Sequence, residues 1–338
     1  MKFIPSCLLA VAAILACPSG GQAADSPNYK LIQRIKVPDG GFDYATFDAA
    51  ADKVYMPRGS FTTVIDPKTG AVSQFANGES NHIALPIPGT NLLVLTQGAK
   101  GIIRILDKTS DKVLADLPAG KNPNSAAYDP VTKLAFVMNK ESGNTTVVDP
   151  VARKVVDTIP ISPNVLEFPV ADGNGRIFDN VETTAEIAVI DAKSRKVTTT
   201  YKMPGCERPS GLAYAPDSKL LISSCRNGVA KIVQADSGKE VASIPIGAGP
   251  DAAIYDQRRK LAFIPCGGDG VLDVISLADP AHPALVQKVE TQAGSRTGTL
   301  DPNTGRLYLM ASKPDPAAGG GRGAPRLSGS WEVLVVGP

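Results

Sequence analysis

Seven short segments of this chain open on a polar side chain and continue in small or apolar ones. The opening residues are Asp43, His82, Asn124, Glu167, Ser210, Asp251 and Arg296, and five of the seven are ionisable. Brought together on a rigid frame, such a set is the ordinary starting point for a ligand site. His82 with Asp43 or Glu167 has the composition of a general base and its acidic partner. No nucleophile or metal partner is evident beside His82, so binding is favoured over catalysis.

Other chemistries are limited by counting. The chain has only two histidines, His82 and His282, and the second lies in the turn Asp279-Pro280-Ala281-His282-Pro283. A histidine-rich zinc or copper site cannot be built from them. Calcium needs only oxygen ligands, which Asp43, Glu167 and Asp251 would supply from three separate segments. Cys-x-x-Cys-His, the attachment motif of covalent haem, is absent, as are Rossmann and P-loop signatures. The expectation is therefore no cofactor, with calcium as the one exception left open.

What would bring the seven together is a repeat. The segments Phe42 to Asp48, Pro123 to Asp129 and Pro250 to Asp256 each hold a polar residue, four small or apolar residues, then Asp. Weaker copies run from His82 to Ile87, Glu167 to Asp172, Ser210 to Ala215 and Arg296 to Asp301. The opening positions are spaced by 39, 42, 43, 43, 41 and 45 residues. Spacings of this size match the blades of a β-propeller. Within each repeat a tight turn such as Asp129 to Lys133 leads to a second apolar strand, here Leu134 to Met138. A third strand such as Val147-Val148-Asp149 follows, then an alternating, more polar fourth such as Lys154 to Ile161. Aromatic residues are only 5% of the chain, so the core must be mainly Val, Ile, Leu and Ala.

The reading is an all-β, seven-bladed β-propeller. Its seventh repeat has strands near 297–300, 307–310 and 331–336 but lacks a fourth. Tyr29 to Val37 reads as a fourth strand with no preceding three. Donating it to the last blade closes the ring. The first strands line the central channel, and their opening residues face its mouth. A second set, Arg58, Gln97, Asn139, Cys225 and Cys266, with Asn180 near the matching place, lies ten residues after the closing position of each first strand in most blades and is expected at the same end. Arg58 and Asn139 therefore join the ligand-binding candidates.

Residues 1–24 read as a signal peptide: Lys2, an apolar run from Cys7 to Ala16, then small residues around Ala23. Ile14-Leu15-Ala16-Cys17 offers the rival of a lipoprotein box, with anchoring through Cys17. Residues 25–338 form one domain, monomeric, periplasmic or secreted. Lys313 to Ser330, rich in Gly and Pro, is expected to be a mobile loop. No later stretch is long and apolar enough to span a membrane. Without Lys2 the formal charge falls from +2 to +1, which gives no electrostatic case for nucleic acid.

Three cysteines follow the signal. The turn at Pro216-Asp217-Ser218 sets residue 209 opposite 225, with Cys206 just beyond, so a Cys206–Cys225 disulfide is expected and Cys266 is left free. Cys225–Cys266, across adjacent blades, is the alternative.

Asn139 with Val147-Val148-Asp149 and Lys154 to Ile159 resembles the YVTN repeat of YncE-like seven-bladed propellers. Gly205 to Ala213, Ser224-Cys225-Arg226-Asn227, Pro245-Ile246-Gly247, Arg296-Thr297, Leu300-Asp301-Pro302 and Glu332 to Gly337 resemble an exported bacterial subgroup of that family, over roughly residues 29–338. Cys266 and Pro86-Ile87-Pro88 depart from the pattern, the latter weakening blade two. The resemblance implies fold and subgroup, not chemistry. Quinone-cofactor propellers carry a Trp in nearly every blade, and this chain has one, Trp331. The leading expectation is an exported scaffold holding a small ligand or a periplasmic protein partner at the polar ring. Alternatives are a lactonase-like or other hydrolase using His82, Asp43 and Glu167, and an accessory protein of a periplasmic redox system.

Overall fold

The computed structural model describes residues 27–161, 165–317 and 324–338. Both readings of the N-terminus, signal peptide and Cys17 anchor, lie outside these residues. Seven four-stranded antiparallel sheets account for the described chain. Six are sequential meanders, the first of them running from Thr46–Asp48 to Val72–Phe75. The seventh is composite: Gly298–Asp301, Arg306–Ala311 and Glu332–Gly337, completed by Lys30–Lys36. Lys30 pairs with Gly337 and Lys36 with Glu332, so the first and last strands close the ring. The first strands touch their neighbours all the way round, including Thr46–Asp48 against Gly298–Asp301. Among the described residues, no helix is long and apolar enough to cross a membrane.

Aliphatic side chains alternate along the second and third strands and pack sheet against sheet between adjacent blades. One such cluster joins Ala213, Ile222, Ile232, Ala253, Ala262 and Ile264 of blades five and six. Blade two, despite Pro86 and Pro88, is regular: Pro86 is the last residue of its strand and pairs with Leu93. Its Pro88 falls outside the strand, so no ladder hydrogen bond is lost there.

Two recurring irregularities shape the blade. The outer strand pair shifts register at equivalent places in blades two to six, for example between Val147 and Val148 and between Val274 and Ile275. Such bulges sharpen the twist and bend the outer edge. The inner pair shifts at Asn81/Ala84, Pro123/Ser125, Leu166/Pro169 and Pro209/Leu212. His82, Asn124, Glu167 and Ser210 lie inside these shifts, and a bulge re-aims its side chain, here to the channel mouth.

The Asp that ends most repeats has a turn-forming role. Asp48 accepts from the backbone N–H of Ala50 and Ala51, Asp129 from Thr132, and Asp256 from Arg258 and Arg259. A carboxylate there satisfies the donors of the first hairpin turn. Cys206 and Cys225 are bonded, with Cα atoms 5.4 Å apart, and Pro209 pairs with Cys225 as the turn requires. Cys266 is free and buried. Of Lys313 to Ser330, the described ends form a short antiparallel stem, with the Asp315 N–H donating to Pro325 O and the Leu327 N–H to Lys313 O.

Candidate functional site

The ring residues meet in separate groups rather than at one point. Asp43 Oδ2 lies 2.5 Å from His82 Nδ1, linking blades one and two. Arg296 Nε donates to Asp251 Oδ2 at 2.9 Å, linking blades six and seven. Ser210 is fully buried and turns toward Pro250 O, while Asn124 is buried with its side-chain oxygen lacking a partner among the described residues.

Glu167 anchors the third group. Lys140 Nζ lies 2.7 Å from its Oε1, and Tyr44 donates its hydroxyl to Oε2 at 3.1 Å. Arg226 reaches Glu167 at 3.6 Å and Glu182 at 2.9 Å, and Arg208 Nε donates to Glu182 at 2.6 Å. Burial, then a hydrogen bond to Glu182, pushes the Glu167 carboxyl up to about 8, against the pull of Lys140. Glu182 is held below the usual range by that hydrogen bond and by its arginines, against its own burial. Asp179 stands nearby with neither oxygen hydrogen-bonded among the described residues; burial first, then Glu167, drives its carboxyl well upward.

Tyr44 divides the channel. Its side chain reaches from blade one to Glu167 of blade four and packs on Phe168 with ring centroids 4.6 Å apart. On one side is the polar mouth. On the other is a cavity of about 360 Å³ lined by Tyr44, Phe168, Tyr128, Tyr214 and Tyr255 with small aliphatic residues.

The second set lies beneath the mouth. Arg58, Gln97, Asn139, Asn180, Cys225 and Cys266 are all buried. Arg58 donates to Gly41 O, Pro38 O and Thr63 Oγ1 and stacks over Trp331 at 4.7 Å. Asn139 donates to Asn144 and Thr146. Both brace the loops that carry the ring.

Three features of the mouth come from positions outside the ring. Lys140, Glu182 and Arg226 each follow the second strand of blades three, four and five; the matching places in blades two and six are Gly98 and Gly267. Ser80, two residues before His82, sets its Oγ 3.0 Å from His82 Nε2. Arg326, on the stem of blade seven, lines a cavity of about 400 Å³ with Arg296, Phe42, Asp39 and Trp331. Repeat offset was the available signal: Ser80 and Lys140 stand at fixed distances from ring residues.

A groove of about 800 Å³ between blades two and three holds Ser80 and His82, with Gly98, Gly120, Lys121 and Ser142 among its walls. Glycine at 98 is a steric need, because a methyl there would lie 2.4 Å from His82 Nε2. No group of three or more metal-ligating side chains forms among the described residues.

No family model and no curated protein matches this chain. Solved structures do. Hydrazine synthase of Kuenenia stuttgartiensis superposes with a TM-score of 0.72 at 16% identity, covering 81% of this chain and 94% of that one. A chain of the mitotic checkpoint complex superposes at 0.76 with 13% identity, covering 98% and 99%. At these identities the likeness is of fold alone: a seven-bladed propeller.

Proposed function

We propose that this protein is an exported binding scaffold of the YncE-like type that holds a small organic anion at the channel mouth, between blades seven and one. The observation that carries the reading is Arg326. Its guanidinium has no carboxylate partner among the described residues, and it faces Arg296 across the same cavity. Burial and then the neighbouring Arg296 charge lower its proton affinity. Arg296 is itself oriented by Asp251 and lies 4.4 Å above the Phe42 ring. Phe42 and Trp331 offer an apolar wall, edge to face at 5.7 Å. Two guanidiniums beside an aromatic wall suit a carboxylate on a flat apolar body. Export is supported by the disulfide, which fits an oxidising compartment.

Benzoate is a suitable probe. It should raise the thermal midpoint in a salt-sensitive manner, and Arg326→Gln should weaken its binding at least roughly tenfold, the scale of one charge-assisted contact. Equal binding by Arg326→Gln and Arg296→Ala proteins would dismiss the site.

A further inference from the structure

Ser80, His82 and Asp43 form an unbroken hydrogen-bonded line across the boundary of blades one and two. Ser80 Oγ is 3.0 Å from His82 Nε2, and His82 Nδ1 is 2.5 Å from Asp43 Oδ2. A carboxylate accepts only, so Asp43 fixes a proton on Nδ1 and leaves Nε2 to accept from the serine hydroxyl. That is the tautomer a nucleophilic serine requires. The three residues come from distant backbone features that agree. Ser80 is in the left-handed region at φ 57°, as are Asn122, Arg208, Gly249 and Gly294, which stand at the same place two residues before the ring in other blades. The turn thereby folds the Ser80 side chain back on the ring residue of its own blade. The register shift between Asn81 and Ala84 aims His82 at the mouth, and Gly98 leaves its imidazole room. His82 and Asp43 keep about a fifth of their side-chain surface, 19% and 24%, open to solvent. The line therefore ends in the groove and not in the core.

The geometry points to a serine esterase site in which Ser80 is the nucleophile, His82 the general base and Asp43 the residue that positions the imidazole. It goes beyond the anion-binding reading and does not depend on it. The substrate class is a short-chain acyl ester of a polar alcohol. The groove is walled by Gly98, Ala99, Gly101, Ala119, Gly120 and Asn122, short or polar side chains that leave no apolar slot for a long chain. The aromatic-lined cavity that would hold one lies on the far side of Tyr44. In the first half-reaction Ser80 Oγ bonds to the ester carbonyl carbon as its proton passes to Nε2; the C–O bond to the alcohol breaks and the alcohol leaves with that proton. In the second, water attacks the acyl-serine with Nε2 taking its proton. The serine C–O bond breaks, Oγ recovers the proton, and the acid is released. The sum is ester plus water giving acid plus alcohol, with no other reactant.

The test uses the whole protein with p-nitrophenyl acetate and a fluorophosphonate probe. Peptide mass mapping should find the phosphonate on Ser80 and, in a rapid quench, an acetyl group on the same residue. Ser80→Ala and His82→Gln should each slow hydrolysis at least roughly a hundredfold, while His282→Gln, in an exposed turn, should not. Asp43→Asn should lower kcat and leave KM unchanged, a split that mere loosening of the loop would not give. Ser80→Ala should still bind benzoate, which separates this site from the one at Arg326. A folded wild-type protein that is neither phosphonylated nor acetylated at Ser80 would overturn the assignment and leave the line as an interblade staple. Labelling of a different serine would overturn it equally.

Discussion

The two halves of the channel mouth start from the same repeat and end differently. In blades three to five, the residue after the second strand is Lys140, Glu182 or Arg226, and these side chains close over Glu167 in a network of ion pairs. In blades two and six that place is glycine, and beside the one in blade two a groove opens with Ser80 and His82 at its wall. A propeller supplies near-equivalent backbone seven times. Filling one position with charge makes a brace, and emptying it makes a site. Buried charges also need complete partners, so the braced half has little freedom to change one residue at a time.

The largest effect tests the frame that both halves share. Removing Lys30–Lys36 leaves Glu332–Gly337 without its outer neighbour and opens the ring. Both halves should fail together: the cooperative thermal transition should vanish and the buried Cys266 should become alkylatable in the absence of denaturant. A stable monomer after that deletion would remove the reason for the two halves to be compared at all.

Next in size is Arg226→Met. It strips Glu182, whose carboxyl is held low and is 5% exposed, of its partner at 2.9 Å. Breaking one side of such a pair costs about 3 kcal/mol, seen as a fall of several degrees in thermal midpoint. The change should leave ester hydrolysis at the glycine-lined half intact. Loss of hydrolysis with stability unchanged would mean the halves are not separate.

The smallest effect is in pH dependence. A carboxyl raised from its usual 4.5 to about 8 binds its proton more tightly folded than unfolded. The stability this group contributes is complete below about 4.5 and is lost as pH rises through about 8. Glu182 is held low, so its own contribution changes only below about 4.5 and leaves this window to Glu167. Glu167→Gln should flatten the decline in thermal midpoint between these limits, measured by calorimetry across the range. An unchanged slope would assign the proton elsewhere, Asp179 being the next buried carboxyl.

The architecture was legible because its signals repeat: the polar opening residue, the turn-forming Asp and the two orphan strands at the ends. The disulfide followed from register, since pairing of 209 with 225 fixes where Cys206 must bend back. Site chemistry was less legible. Alignment of repeats identifies equivalent positions but not which ones face each other across blades. Ser80 and Arg326 lie in connections whose path is set by a left-handed turn and by a stem paired through Pro314 and Arg326, neither of which has a strong sequence mark. Arg58 and Asn139 were expected at the mouth from their fixed offset to the first strands. Their hydrogen-bond partners, Gly41 O and Thr146 Oγ1, are ones that spacing does not reveal.

The free Cys266 has a bearing on oxidation. Cys266 Sγ lies 3.6 Å from an oxygen of Asp273 inside blade six, and burial together with that carboxylate pushes the thiol far above its usual range. Disulfide exchange needs a thiolate within reach of a sulfur. Once blade six has closed, the Cys266 sulfur is buried and its ionisation opposed, so its exchange with Cys206–Cys225 is confined to chains still folding. Correct oxidation then reduces to whether this one strand packs before the pairing of sulfurs is complete.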